Sequence, residues 1–112
     1  MQEQTEGDFL SLEITNESMD NGQRTSFEAG DHVLCKAYSL SNYEQIPFTE
    51  HPYWAIVTNG TIFIKQIIDE TDDTIILHSL NNSPEYTDFS INKADIIQLY
   101  FIIKKKPKEV TF

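Results

Sequence analysis

Tyr53-Trp54-Ala55-Ile56-Val57-Thr58-Asn59-Gly60-Thr61-Ile62-Phe63-Ile64-Lys65-Gln66-Ile67-Ile68 sets two apolar runs on either side of an Asn-Gly pair. Runs rich in β-branched and aromatic residues read as strands, and Asn-Gly between them is the strongest short-range hairpin signal. The first arm covers 53–57 and the second runs to about Ile68. By period-two alternation Phe63, Lys65 and Ile67 share one face of the second arm. Ile62, Ile64 and Ile68 share the other with Gln66. A lysine inside a strand apolar on both faces has two readings. It can snorkel to water along its aliphatic stem. Alternatively its neighbours desolvate it, which disfavours the charged form, lowers its pKa and lets a neutral amine act as a general base.

Working outward, the same alternation predicts strands at about 9–15, 32–38 and 74–78, with a short strand or bridge at 89–94. A long apolar strand, Ile96 to Lys105, ends in basic residues. Residues 19–30, with Arg24, read as loop containing at most one helical turn. Residues 39–52 form a long polar connection carrying Pro47 and Pro52, with Tyr43, Ile46 and Phe48 interspersed. Loops of that length are usually functional or mobile. Residues 79–88 are turn-rich. No ten-residue window carries a helical stripe, and there is no repeat or glycine-rich phosphate loop. The expected fold is mostly β, a partly open barrel or sandwich of short strands. Residues 1–8 read as a linker remnant ahead of one domain at 9–112.

The chain has 18 acidic and 8 basic residues in 112, a formal net charge of −10. Four of the basic residues, Lys104, Lys105, Lys106 and Lys108, cluster at the end. Residues 1–103 hold 17 acidic and 4 basic side chains, a balance of −13. Such a body repels nucleic-acid phosphate, so no DNA binding by this chain alone is expected. A polar, acidic start is no signal peptide, and no apolar run approaches the roughly 18 residues a membrane span needs. The expected location is cytoplasmic, without membrane contact. The single cysteine, Cys35, excludes an internal disulfide, and its apolar strand suits a buried, inert thiol.

Candidate chemistry begins at Asn16-Glu17-Ser18-Met19, which closes the first strand and opens a turn-rich segment at Asp20-Asn21-Gly22. Ser18 is either a turn or capping residue or a hydroxyl placed at a strand mouth to meet a peptide backbone. His32, His51 and His78 lie at no metal-ligand spacing from one another or from Cys35. A serine–histidine–acid triad stays open on spacing, since triads assemble in space. Asp31 and His32, being adjacent, should point to opposite faces. Glu70 and Asp72-Asp73 make a charged turn without the ordered ligands of a calcium loop. Three Asn-x-Ser/Thr matches mean nothing without a secretion signal. No cofactor or metal is called for.

In order along the chain, Asn16-Glu17-Ser18-Met19, Gly30-Asp31-His32-Val33-Leu34 and Phe63-Ile64-Lys65-Gln66-Ile67 stand together with two later stretches. These are Leu77-His78-Ser79 and Asn82-Ser83-Pro84-Glu85-Tyr86. From about Phe9 to Ile103 the set resembles the carboxy-terminal domain of LexA-like and phage-type repressors, self-cleaving serine–lysine peptidases of the signal-peptidase-like fold. The resemblance implies that Ser18 is the nucleophile and Lys65 its base. It also implies that amides near Ser18 and Met19 form an oxyanion hole, with Met19 walling the cleft. The implied substrate is the protein's own linker peptide. The implied trigger is the activated recombinase filament formed after DNA damage, in an SOS-type response.

The chain carries no helix-turn-helix segment. Its Ala29-Gly30 pair matches the turn after the serine rather than a scissile bond, and the span from Ser18 to Gly30 is longer than in many relatives. The expectation is therefore a carboxy-terminal dimerisation and self-cleavage piece of a longer transcriptional regulator. Two rivals are a non-catalytic oligomerisation module and a UmuD-like mutagenesis protein with a polymerase partner. Whether Ser18 and Lys65 come within hydrogen-bond reach separates the first from the peptidase. The strand Ile96–Ile103 is expected to put Ile97, Leu99, Phe101 and Ile103 on one face and Ile96, Tyr100 and Ile102 on the other. That two-sided pattern points to a homodimer through this strand.

Overall fold

In a computed structural model of the chain, which describes residues 9–23, 25–39 and 45–107, the Asn-Gly pair closes the expected hairpin. Strand β3 (Tyr53–Thr58) pairs antiparallel with β4 (Thr61–Glu70), Thr58 opposite Thr61, and Gly60 supplies the positive φ, +90°, that the turn requires. The other strands are β1 (Phe9–Glu13), β2 (His32–Tyr38), β5 (Thr74–His78), β6 (Phe89–Asn92) and β7 (Ile96–Lys106), with a short 3-10 turn at Lys93–Asp95. All seven form one antiparallel sheet in the order β1-β2-β7-β3-β4-β5-β6, not closed on itself. The fold is mostly β. The lead-in 1–8, Arg24, Tyr43 and Lys108 lie outside the described residues.

Alternation divides the core between the two faces of the sheet. Leu10, Leu12, Ile14, Met19, Val33, Cys35 and Ala55 pack on one face, with Ile64, Tyr100 and Ile102 against them. Trp54, Ile56, Ile67, Ile75, Leu77, Ile96 and Leu99 pack on the other, with Phe63, Phe89 and Phe101. Strands β1 and β4 are four strand spacings apart, about 19 Å in a flat sheet. Leu12, Ile14 and Ile64 nevertheless share one cluster, so the sheet curls over it. That curl brings the turn after β1 to β4. Burial pushes the Cys35 thiol up to about 12, so it is an inert core residue.

Strand β7 differs from its sequence pattern in two ways. It is a central strand, flanked by β2 and β3, so both apolar faces are used within the chain. Its alternation is also broken twice. The β3 ladder passes from Gln98 to Ile96 and the β2 ladder from Ile102 to Lys104. Ile97 and Ile103 are the residues skipped, and each bulge turns its isoleucine outward, to 65% and 47% exposure. Ile96, rather than Ile97, joins Leu99 and Phe101 in the core. A third bulge, at Ile68 in β4, has the same outcome.

The connection before β3 is tied down by a buried carboxylate. Glu70 accepts the Ile46 amide at 2.9 Å and the Lys93 ammonium at 2.6 Å. The turn after it, with exposed Asp72 and Asp73, is solvated. His51 stacks on Phe101 with ring centroids 4.2 Å apart, completing the cover over Trp54.

Candidate active site

Five residues beyond β1, Ser18 is held by backbone contacts on every side. Ile14 closes the strand end by exchanging bonds with Asp31 and Gly30, both at 2.8 Å. Met19 O accepts the Phe27 amide at 2.8 Å, and Glu17 O accepts the Asp20 amide at 3.0 Å. From the segment after β5, the Asn81 amide reaches Ser18 O at 2.9 Å and its Nδ2 reaches Glu17 O at 3.0 Å. Asn81, two residues after Ser79, therefore clamps the serine turn. Ser18 itself is 4% exposed, and Met19 is buried beneath it in the first cluster.

Lys65 is 8% exposed and does not snorkel to solvent. Its Nζ donates to Ser18 Oγ at 2.7 Å and to Ser79 Oγ at 2.9 Å. Among the described residues no carboxylate pairs with it. Desolvation therefore acts without a compensating charge, and burial pushes the amine below its ordinary range. Ser18 Oγ in turn donates to Asn16 Oδ1 at 2.8 Å, and the same oxygen accepts the Ser18 amide at 3.1 Å. The hydrogen-bond chain thus runs from Lys65 through Ser18 to Asn16.

The two residues expected as nucleophile and base are brought together, across 47 positions of sequence. Of the amides expected to form an oxyanion hole, that of Ser18 is engaged by Asn16. No histidine touches Ser18. His32 faces Glu13 at 3.7 Å, His78 is 2.6 Å from Asp88, and His51 lies on Phe101. Lysine, not a histidine–acid pair, is the base-type group at this serine.

Two contacts were assigned no role by the sequence pattern, Ser79 and Asn16. Ser79 stands opposite Lys65 because of a bulge. Counting back from the Glu70–Ile75 pair in unbroken register would set Leu80 across from Lys65. The skip at Ile68 shifts the ladder by one, to Ile67–Leu77 and Gln66–His78, so that just past the ladder's end the Ser79 side chain meets Lys65. Asn16 forms an Asx turn onto Ser18, a contact that the Asn-x-Ser spacing permits without fixing.

Beside the dyad lies a groove of about 510 Å³ walled by Leu12, Ile14 and Met19 on one side and Ile62, Phe63 and Ile64 on the other. Both flanking strands leave an edge without a ladder on the groove side. Among the described residues β1 pairs only with β2, and β4 meets β5 only from Gln66 onward, leaving 61–65 paired on the β3 side alone. An extended peptide has backbone edges to pair with on either side and apolar walls for its side chains. No family model matches the chain, and no curated protein matches it.

Proposed function

We propose that this chain is a serine–lysine peptidase domain that cleaves a peptide bond in an extended segment laid in the groove beside Ser18. The observation that carries the reading is the 2.7 Å contact between Lys65 Nζ and Ser18 Oγ in a buried site where, among the described residues, no carboxylate pairs with the amine. A neutral Lys65 takes the hydroxyl proton as Ser18 Oγ bonds to the scissile carbonyl carbon. The same ammonium then protonates the leaving amine, giving an acyl-serine that water hydrolyses. Ser79, bonded to the amine, keeps Nζ aimed at Ser18. Met19 underlies the cleft.

The order of motifs adds the repressor context. On that resemblance the natural substrate is a linker of the same polypeptide, a recombinase filament is the trigger, and the domain's other task is homodimerisation. The exposed isoleucines of β7, Ile97 and Ile103, are the contacts proposed for the twin subunit. The acidic body is proposed not to bind DNA. Among the described residues no helix is long and apolar enough to cross a membrane. A purely oligomeric module gives no reason for a lysine to be desolvated against two hydroxyls, so the geometry favours the peptidase.

The test is incubation of the chain with a panel of extended peptides at rising pH, read by mass spectrometry. Cleavage that Ser18→Ala abolishes supports the proposal. Absence of any Ser18-dependent cleavage across the panel counts against it.

A further inference from the structure

We propose that the Asn16 side chain is a built-in placeholder that occupies the oxyanion position at Ser18 and must swing out before an acyl group can bind. The proposal rests on the peptidase reading above. Its ground is the double contact of one atom. Asn16 Oδ1 is 2.8 Å from Ser18 Oγ and accepts the Ser18 amide at 3.1 Å. An oxygen that sits against the nucleophile while taking its backbone N–H stands where the oxygen of an attacked carbonyl is stabilised. The contact also orients the serine proton. With Oγ–H directed at Asn16, the hydroxyl accepts from Lys65 rather than donating to it, the reverse of what proton abstraction needs.

The rest of the turn does not depend on this side chain. Glu17 O accepts the Asp20 amide within the turn and Asn81 Nδ2 from outside it, while Ser18 O and Met19 O are held by the amides of Asn81 and Phe27. Asn16 itself is exposed, so rotation about its side-chain bonds carries the carboxamide into water without unravelling the backbone. The resting site is therefore complete but closed by about two hydrogen bonds. Each such bond is worth a factor of about three to ten in an equilibrium.

The experiment labels Ser18 in the full chain with a fluorophosphonate. Serine Oγ bonds to phosphorus, the P–F bond breaks, fluoride leaves, and the hydroxyl proton passes to Lys65 and then to water. The phosphoryl oxygen competes for the Ser18 amide that Asn16 holds. Asn16→Ala and Asn16→Gly, each losing both bonds, should label about ten- to a hundredfold faster than wild type. Asn16→Asp should label slower, because a carboxylate accepts the same two bonds more strongly. A mere turn cap predicts the opposite order, since aspartate caps the turn as well as asparagine and alanine does not. Asn16→Gly serves if the alanine variant fails to fold. Labelling of wild type with the alanine and glycine variants no faster overturns the placeholder and leaves the peptidase standing. Folded protein that labels at Ser18 in no variant, even under alkaline conditions, overturns both.

Discussion

Lys65 Nζ donates to Ser18 Oγ at 2.7 Å, from the middle of a strand to a turn 47 residues earlier. Neither residue is on the surface, and desolvation by burial lowers the amine's pKa. A buried lysine without a counter-ion costs stability, because the unfolded chain can solvate the charge and the folded one cannot. Such an arrangement persists in a fold when it serves something other than stability, and activation of the adjacent hydroxyl is what this geometry offers.

Ser79→Ala tests the aim of the amine. Removing the 2.9 Å contact leaves Lys65 with Ser18 as its one hydroxyl partner, so the Ser18-dependent rate should fall about tenfold. The hydroxyl also favours the charged amine by accepting from it. Its loss should therefore move the pH–rate profile to lower pH while lowering the plateau. A rate and profile equal to wild type would remove Ser79 from the site.

Lys65→Met combined with Ser79→Ala isolates the cost of burying the amine. The single Lys65→Met change leaves the Ser79 hydroxyl buried without its donor, which costs about 1–3 kcal/mol. In the double variant that penalty is gone. Between the depressed folded pKa and the unfolded value of about 10.4, the unfolded wild-type chain binds more protons, so wild-type stability rises with pH across that window. The double variant should thus be the more stable near neutral pH, with the gap closing as pH passes through the window. Denaturant midpoints at several pH values give the answer.

Glu70→Ala should destabilise the fold by about 2–3 kcal/mol, since it strands the Lys93 ammonium and the Ile46 amide together. The loss should fall on the connection leading into β3, seen as faster amide exchange at Ile46. The dyad lies elsewhere, so Ser18 labelling should be unchanged at temperatures where the variant is folded.

Ile97→Ser and Ile103→Ser test the proposed dimer. Each replaces an outward isoleucine at a bulge, so folding stability should change by less than about 0.5 kcal/mol. Sedimentation equilibrium should show a wild-type dimer that the paired substitution weakens about tenfold or more. A wild-type monomer at high micromolar concentration would end the dimer proposal.

The mostly β fold and the 53–68 hairpin were legible because each rests on local pattern, alternation and Asn-Gly, whereas the Ser18–Lys65 pair came from the order of motifs that carries the resemblance, local pattern leaving both residues open. What sequence hid was register. Three bulges, at Ile68, Ile97 and Ile103, leave no composition signal, yet one sets Ser79 opposite Lys65 and two reverse the facing of β7. The place of β7 at the centre of the sheet was equally hidden, because period-two patterning says which faces are buried and not which strands lie alongside. Asn16 was in plain view within the motif. Its contact depends on which way one side chain turns, and no spacing rule fixes that.

The most direct test of the dyad compares two curves: the pH dependence of Ser18 labelling by a fluorophosphonate, and the titration of the Lys65 side chain followed by NMR. One inflection common to both is expected, below the ordinary lysine range, with labelling lost in Ser18→Ala and reduced at least a hundredfold in Lys65→Met. Labelling that proceeds at the wild-type rate in Lys65→Met, or a rate that does not follow the lysine titration, would contradict the dyad.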